Sequence, residues 1–314
     1  MRLLWVVGSI NLDVTARIQR IPAIGETALA QDGYLSPGGK GANQALAARR
    51  MGGPVSLMGQ GGQDALAELA LSLLRRDGVN LDGVRPVDGM TGTALIWVDD
   101  AGNNTITVVS GANAQFAPQR LEPGPPLGRQ DWVLVSLEVP LATARAAVLW
   151  AQNHRAGVLV DPAPAPVELP RELWAVSVLM PNRGEAERLL QVKIRDVRDA
   201  KAAARALRQR GAEVGIVKLG GEGLVWASRH GVFYLPPTPV RAVDTTGAGD
   251  CFAGVLAAGL EAKMSVGDAI GRAARAAAIA CTRPGAQTAF PWAEELTEPL
   301  PPGEQERDPG AGKV

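Results

Sequence analysis

The chain has 314 residues, and its 32 Lys and Arg side chains balance 32 Asp and Glu side chains. Zero net charge without a long basic run argues against nucleic acid or an anionic membrane as partner, and no apolar stretch is long enough to cross a bilayer. The two cysteines, Cys251 and Cys281, lack disulfide or metal spacing, which favours a reducing, cytoplasmic location.

The chain opens with a strand and a polar turn. Residues 3–7 are a continuous apolar run, typical of a buried parallel strand, and G-S-I-N-L-D follows. Asn11 and Asp13 are therefore expected just beyond the carboxyl end of this strand, where ligands bind in open α/β sheets. Their side chains can hold hydroxyl groups, but such residues also form ordinary Asx turns, so both interpretations stay open.

Two predicted hairpins stand apart from the main pattern. Short alternating stretches within about 14–37, and β-rich runs within 91–110 joined by D-D-A-G-N-N, predict a small antiparallel sheet that acts as a lid or an interface. Between them, P-G-G-K-G-A-N precedes a helix, and Lys40 and Asn43 offer donors to a ligand that the glycines admit. Residues 55–58 predict a strand and residues 64–76 one amphipathic helix.

From residue 132 onward, strands and helices alternate, with strands at 132–139, 158–161, 176–180 and 214–219. This alternation predicts an α/β fold with a doubly wound, mostly parallel sheet flanked by helices, plus the small antiparallel β lid. We assign residues 1–298 to one domain and the Pro/Gly-rich residues 299–314 to a disordered tail. Polar or glycine residues follow the predicted strands at Asn11, Asp13, Glu138, Asn182, Glu185, Gly220, Gly221 and Asp244.

The stretch V-D-T-T-G-A-G-D at 243–250 precedes an apolar helix. Gly247 and Gly249 let backbone N–H groups converge there, and the helix start adds a positive dipole end, which together make an anion site. A carboxylate would repel a phosphate bound at this site. Asp250 therefore suits a general base that takes a proton from a hydroxyl beside a phosphoryl group, although Asp is also a preferred helix cap. This stretch alone does not decide between the two roles.

Ordered sequence blocks extend the pattern along the chain from residue 3 to about 293. They read G-S-I-N-L-D, G-G-K-G-A-N-Q-A, S-G-A-N-A, L-E-V-P, P-A-P-A, P-N-x-x-E, K-L-G-G-E-G, D-T-T-G-A-G-D and T-R-x-G-A-Q. The chain resembles the ribokinase-like, phosphofructokinase-B type carbohydrate kinases. G-G-K-G-A-N together with D-T-x-G-A-G-D is specific for that superfamily, and the first and last blocks point to its ribokinase branch.

The resemblance implies ATP-dependent phosphorylation of D-ribose to ribose 5-phosphate, with Asp250 as general base. The implied anion hole is the backbone of Gly247, Ala248 and Gly249. The implied sugar contacts are Asn11, Asp13, Gly39, Lys40, Asn43, Glu138 and Asp250. The implied nucleotide contacts are Asn182, Lys218, Leu219, Gly220, Gly221, Gly223, Gly249 and Ala274.

The resemblance also implies two metal ions. Asn182 and Glu185 would organise Mg²⁺, mostly through water, because Mg²⁺ gives up its hydration reluctantly. Considered alone, Glu185 is an ordinary acidic residue of a first helical turn. A monovalent cation, usually K⁺, would lie beside the anion hole, at the positions Asp244, Thr246, Ala280, Arg283, Gly285 and Ala289.

The chain departs from the family pattern at two of these positions. Ala289 replaces a Ser whose hydroxyl can reach the cation, and Ala274 replaces an adenine-side His. A homodimer through the lid is expected. The alternatives are a kinase for 2-deoxyribose, fructose, 2-keto-3-deoxygluconate or adenosine, and a catalytically silent sugar-binding regulator. An oxidoreductase is excluded because no G-x-G-x-x-G follows the first strand.

Overall fold

The computed structural model describes residues 3–101, 103–121, 127–296 and 304–306. Its strands are β1 Leu4–Val7, β2 Asn11–Arg17, β3 Asp32–Gly38, β4 Val55–Gly62, β5 Asn80–Val87, β6 Gly92–Val98, β7 Asn104–Val109, β8 Trp132–Ser136, β9 Gly157–Asp161, β10 Val178–Leu179, β11 Val214–Lys218, β12 Leu224–Ser228, β13 Gly231–Leu235 and β14 Glu304–Glu306. Its helices are α1 Lys40–Arg49, α2 Ala65–Ala70, α3 Ser72–Asp77, α4 Leu141–Asn153, α5 Arg171–Trp174, α6 Arg183–Leu190, α7 Val197–Gln209, α8 Ala248–Glu261 and α9 Val266–Ala280. Within these ranges, no helix is long and apolar enough to cross a membrane.

The large sheet has ten strands in the order β14-β13-β12-β11-β10-β9-β8-β1-β4-β5. From β11 to β5 all neighbours are parallel, and β12 to β14 are added antiparallel. The chain leaves β1 towards β4 and β5 on one side, then returns to β8 on the other. The predicted doubly wound, mostly parallel sheet is confirmed. Ligands bind at the carboxyl edge where the strand order reverses, which here lies between β1 and β8.

Helices cover both faces of this sheet. One apolar cluster joins Leu46 of α1 to Phe252 and Leu256 of α8, and a second joins Val148 of α4 to Leu207 of α7. Helices α1 and α8 approach so closely that a methyl group on Gly254 would clash with the backbone oxygen of Gln44 in α1. This close packing brings the polar side chains at the start of both helices together.

The lid is a separate four-stranded sheet in the order β3-β2-β6-β7. Its outer pairs are antiparallel as predicted, whereas the central pair, β2 and β6, is parallel. Strand β2 begins at Asn11, and only three residues separate it from the end of β1 at Val7. The polar residues that follow the first strand therefore belong to the lid itself.

Several local features differ from the sequence-based expectation. Strand β5 was not predicted, because its N-L-D-G-V-R-P-V sequence has no regular apolar alternation. The single helix predicted over 64–76 is two helices, and the Ser72 hydroxyl donates to the Leu69 carbonyl (2.7 Å) where they meet. Of the tail predicted to be disordered, residues 304–306 instead form β14, and the others lie outside the described residues.

Candidate active site

Glycines let the start of α1 lie against the end of β1. A methyl group on Gly8 would lie 2.7 Å from the Gly41 Cα, and one on Gly39 would lie 2.6 Å from the Asn11 nitrogen. Gly39 also has φ 87°, a conformation that side chains disfavour. The G-S-I-N-L-D and G-G-K-G blocks are therefore in direct contact.

Asp250 lies buried in the first turn of α8, with 5% of its surface exposed. Its carboxylate accepts hydrogen bonds from Asn43 Nδ2 (2.9 Å) and Gln44 Nε2 (3.2 Å), and Lys40 Nζ lies 3.8 Å away. Gly247, with φ 73°, occupies the cap position, and no side chain caps the helix. The helix-cap interpretation of Asp250 is therefore wrong, and its carboxylate faces the polar residues of α1.

Two further carboxylates border Asp250. Ser9 Oγ donates to Glu138 Oε2 (2.5 Å), and the Lys40 backbone N–H donates to the same oxygen (3.2 Å). Burial, with repulsion from Glu138 and Asp250, raises the pKa of Asp13 to about 7. The charge of Asp250 raises the pKa of Lys40, with smaller contributions from other carboxylates. A fixed ammonium thus offsets part of the negative charge.

Sequence reasoning missed several residues that hold other site residues in place, namely Ser9, Gln44, Asn113, Asp161 and Gln287. Asn113 Nδ2 donates to Asn11 Oδ1 (2.8 Å), and Gln287 Nε2 donates to Asn43 Oδ1 (3.0 Å). Gln44 donates to Asp250 and Asp161, and Asp161 accepts from Lys218. Asn113 and Gln287 lie in the S-G-A-N-A and T-R-x-G-A-Q blocks, and their place in these blocks could have identified them as site residues.

The side chain of Arg50 secures the other end of α1. It donates to Asp77 (2.9 Å) and to the carbonyls of Gln287 (2.8 Å) and Phe290 (2.6 Å), and its guanidinium lies 5.2 Å from the Trp292 ring centroid. Arg50 and Asp77 are both buried. This clamp joins α1 to the segment that carries Gln287.

Most residues expected to bind nucleotide and Mg²⁺ lie around the start of α6 and the end of β11. Asn182 and Glu185 form a reciprocal capping box at the start of α6, so the ordinary first-turn role of Glu185 is present. Burial raises the pKa of Glu185, although the charge of Lys218 opposes this shift. Asn182 also pairs with Lys218 as an isolated parallel bridge. These contacts bring α6 and the end of β11 together.

The K-L-G-G-E-G block forms a tight turn with open backbone. Gly220–Glu222 make a 3₁₀ turn, and a methyl group on Gly220 or Gly221 would meet nothing within 4 Å. Gly223 has φ 83° and would clash with the Leu235 carbonyl if it carried a side chain. Leu219 is buried, and Ala274 is half-buried on α9. An open glycine backbone suits close approach of a ligand.

The segment expected to bind a monovalent cation is organised by Asp244. Its carboxylate accepts from the N–H groups of Thr246 and Gly285, both at 2.9 Å. These hydrogen bonds keep the pKa of Asp244 below its ordinary value although burial opposes them. Ala280 and Ala289 are buried, whereas the guanidinium of Arg283 pairs with Glu295. Arg283 and Ala289 could therefore contribute backbone carbonyls only.

The structure thus brings most of the sequence-derived candidates to one edge of the sheet. Over the described part of the chain, no group of three or more His, Cys, Asp or Glu residues is arranged to hold a metal ion directly. The residues grouped around Asp250 through hydrogen bonds, close contact or charge are Asn11, Asp13, Gly39, Lys40, Asn43 and Glu138. This arrangement can bind hydroxyl groups beside a base and an anion site.

The sequence is similar to a family model and to several known proteins. A family model described as pfkB family carbohydrate kinase matches residues 1–293. The ribokinase of Haemophilus influenzae is 33% identical over 298 residues, which cover 94% of this chain and 97% of that protein. The deoxyribokinase of Salmonella typhi is 32% identical over 298 residues, with the same coverage.

A longer relative and a solved structure are also similar to this chain. A bifunctional ribokinase/ribose-5-phosphate isomerase A from Fructilactobacillus sanfranciscensis is 35% identical over 302 residues, covering 94% of this chain but only 56% of that longer protein. The structure of Arabidopsis thaliana ribokinase complexed with ribose and ATP has a TM-score of 0.84 and 29% identity, and the match covers 94% of this chain and 98% of that one. The chain therefore belongs to the pfkB family of carbohydrate kinases.

Proposed function

We propose that this carbohydrate kinase transfers the γ-phosphoryl group of ATP to the 5-hydroxyl of D-ribose. The observation that carries the proposal is the buried Asp250 carboxylate, placed in the first turn of α8 directly after the glycine turn and among polar groups of α1. A catalytically silent sugar-binding regulator would not need a carboxylate at an anion site. Retention of Asp250 together with Gly247 and Gly249 therefore favours an active enzyme.

In the proposed reaction, Asp250 takes the proton of the sugar hydroxyl as its oxygen attacks phosphorus. The N–H groups of Gly247, Ala248 and Gly249 stabilise the charge on the phosphoryl oxygens from the helix start. Asn43 and Gln44 fix the carboxylate by hydrogen bonds, and this positioning is the main requirement of phosphoryl transfer. The Lys40 ammonium lies 3.8 Å from the Asp250 carboxylate and offsets part of the negative charge of the site.

Ribose is favoured as substrate because hydrogen-bonding side chains surround the space beside Asp250. Asp13 and Glu138 present acceptors, and Asn43 and the Lys40 ammonium present donors to a polyol. A site built to bond a hydroxyl discriminates strongly against an analogue that lacks it. 2-Deoxyribose is the second candidate, because a relative named deoxyribokinase is nearly as similar to this chain as the relatives named ribokinase.

Steady-state kinetics with ribose, 2-deoxyribose, fructose, 2-keto-3-deoxygluconate and adenosine test this proposal. Ribose should give the highest kcat/KM with ATP as donor. A preference for 2-deoxyribose would replace the substrate while keeping the mechanism. Absence of turnover with every acceptor, in a sample that binds ribose by calorimetry, would support the silent regulator instead.

The nucleotide and Mg²⁺ fit the other half of the site. Gly220 and Gly221 offer open backbone to ATP, and Gly223 closes the turn that presents them. Leu219 and Ala274 would border the nucleotide, without a specific side-chain contact to the base from Ala274. Each carboxylate oxygen of Glu185 accepts one hydrogen bond from Asn182. Both oxygens can therefore accept further hydrogen bonds from water molecules around Mg²⁺. Bound there, Mg²⁺ would neutralise phosphate charge.

A monovalent cation, K⁺, is proposed beside the anion hole, held by Asp244 with carbonyls of Thr246, Ala280, Arg283, Gly285 and Ala289. The charged Asp244 side chain fits such an ion, whereas Ala289 provides no side-chain oxygen. We expect K⁺ to raise kcat above the value in Na⁺, and Ala289→Ser to lower the K⁺ concentration needed for half-activation. Titration of activity with KCl at constant ionic strength measures both. Identical rates in K⁺ and Na⁺ for both proteins would contradict a functional cation site.

The raised pKa of Asp13 predicts a pH-dependent stability of the free protein. Because this pKa rises from 3.8 to about 7 on folding, the folded chain binds more protons than the unfolded chain between these values, so Asp13 reduces stability as pH rises through that window. The thermal midpoint of Asp13→Asn, measured relative to that of wild type, should therefore increase as the pH rises from below 3.8 to above about 7. Parallel midpoint curves for the two proteins would contradict the raised pKa.

We also propose that two copies associate through the lid in the cytoplasm. The lid sheet leaves Tyr34, Ile106 and Val108 about half exposed on one face, an apolar surface that a second lid could cover. Both cysteines are free thiols, consistent with a reducing compartment. Light scattering of wild type and Ile106→Asp tests the dimer. A monomeric wild type would refute it.

A further inference from the structure

A continuous path of buried hydrogen bonds leads from Asp250 to a second lysine. The Gln44 amide nitrogen donates both to Asp250 Oδ1 (3.2 Å) and to Asp161 Oδ2 (3.0 Å), and Lys218 Nζ donates to Asp161 Oδ1 (2.8 Å). Gln44 and Asp161 are 0% and 1% exposed. These side chains come from α1, β9, β11 and α8, so the path joins four elements at one point.

The two ends of the Asp161–Lys218 pair differ in their access to the site. The Asp161 side chain is 2% exposed, but that of Lys218 is 14% exposed. A buried carboxylate is costly without a partner, and Lys218 provides the charge that Asp161 needs. The ammonium has three N–H donors, and Asp161 occupies one of them. The others remain able to reach a ligand at the opening.

The position of the Lys218 ammonium relative to α8 indicates that this ligand is anionic. A methyl group added to Gly249 would lie 3.9 Å from Lys218 Nζ, and nothing else lies within 4 Å of it. The space in front of Gly249 is thus bordered by an ammonium on one side and by the N–H groups of the helix start on the other. Both features attract anionic oxygens.

We infer that Lys218 is a catalytic residue that contacts the phosphoryl group during transfer, and that Asp161 and Gln44 are positioning residues that hold its ammonium in register with Asp250. The inference rests on the proposed kinase activity. As the sugar oxygen bonds to phosphorus and the bond to the ADP oxygen breaks, the hydroxyl proton passes to Asp250. Lys218 offsets the negative charge on the phosphoryl oxygens. It thus acts on the phosphoryl group, not on the base or ribose of the nucleotide.

The test compares Lys218→Met and Lys218→Arg with wild type on the best substrate of the acceptor panel. Removing one preorganised donor of this kind typically costs about 10²–10³-fold in kcat, and we expect Lys218→Met to fall in that range. The KM for sugar should stay near the wild-type value, and Lys218→Arg should restore part of kcat. Lys193→Met, which removes an 83% exposed lysine side chain, is the matched control and should retain full activity.

Two further measurements separate catalysis from folding. Lys218→Met leaves Asp161 buried without its cation, so Lys218→Met/Asp161→Asn removes both charges and should recover any lost thermal midpoint without recovering kcat. Asp161→Asn alone should lose most of the same kcat, and its effect should not add to that of Lys218→Met.

An unchanged kcat with a raised KM for ATP would overturn the inference, because Lys218 would then only bind the ground state. Recovery of kcat in the double variant would also overturn it. If wild type phosphorylates no acceptor, the proposed function fails first. If wild type is active and Lys218→Met is equally active, only this inference fails.

Discussion

Asp250→Asn is expected to reduce kcat for sugar phosphorylation by about 10²–10⁴-fold, the range that general-base catalysis typically contributes. The substitution preserves size and keeps an oxygen acceptor for Asn43 or Gln44, but the amide cannot take a proton. Sugar binding, measured by calorimetry without nucleotide, should remain close to wild type. Quenched-flow or coupled steady-state assays at saturating ATP measure the loss.

The adjacent residue provides the control for this variant. Cys251 is fully buried in the same helical turn, and burial raises the pKa of its thiol, so it remains an unreactive, packed side chain. Cys251→Ala should keep kcat near the wild-type value while lowering the thermal midpoint through the small cavity it leaves. If Asp250→Asn retained wild-type kcat, Asp250 would not be the base.

Gly249→Ala is expected to lower kcat by about 10²-fold without loss of stability, because small displacements of reacting groups have effects of this size. Gly249 lies in the first turn of α8 without a positive φ, and Ala is the better helix former. The added methyl group would enter the space beside Lys218, where we place the phosphoryl oxygens. Activity and thermal unfolding of the same sample measure the two effects.

Variants of two other glycines distinguish a steric effect in the site from a loss of stability. At Gly247, φ is 73° and a methyl group would lie 2.9 Å from Ala286 Cβ, so Gly247→Ala should lose about 1–3 kcal/mol of stability as well as activity. At Gly267, in the first turn of α9, a methyl group meets nothing within 4 Å, and Gly267→Ala should change neither activity nor fold. Full activity of Gly249→Ala would contradict a phosphoryl site in front of that residue.

The sequence allowed a correct prediction wherever local patterns determine the outcome. The continuous apolar run of β1 and the strand–helix alternation after residue 132 predicted the parallel sheet, and the glycines of the 243–250 stretch predicted the start of α8. The expectation of an acidic first-turn residue at Glu185 holds, and Glu185 also forms a capping box with Asn182. The residues around Asp250 could be grouped because carboxyl ends of parallel strands meet at one edge.

The remaining features depend on contacts that local patterns do not encode. Gln44 looks like any helical glutamine, and its role arises only because Gly254 lets α8 approach α1. Asp161 at the end of β9 meets Lys218 from 57 residues away. Strand β5 forms at the edge of the sheet despite Gly83 and Pro86, since pairing with β4 outweighs its poor intrinsic propensity.

The Arg50 clamp affects the order in which segments of the protein fold during synthesis. Arg50 bonds to carbonyls 237 and 240 residues later in the chain, and Gln287 braces Asn43 across 244 residues. Contacts between such distant segments close slowly and late, because the intervening chain must first be ordered. The chain emerges from the ribosome amino terminus first, so the strands that surround β1 can pair before synthesis is complete. Helix α1, although among the first segments made, is secured only by one of the last.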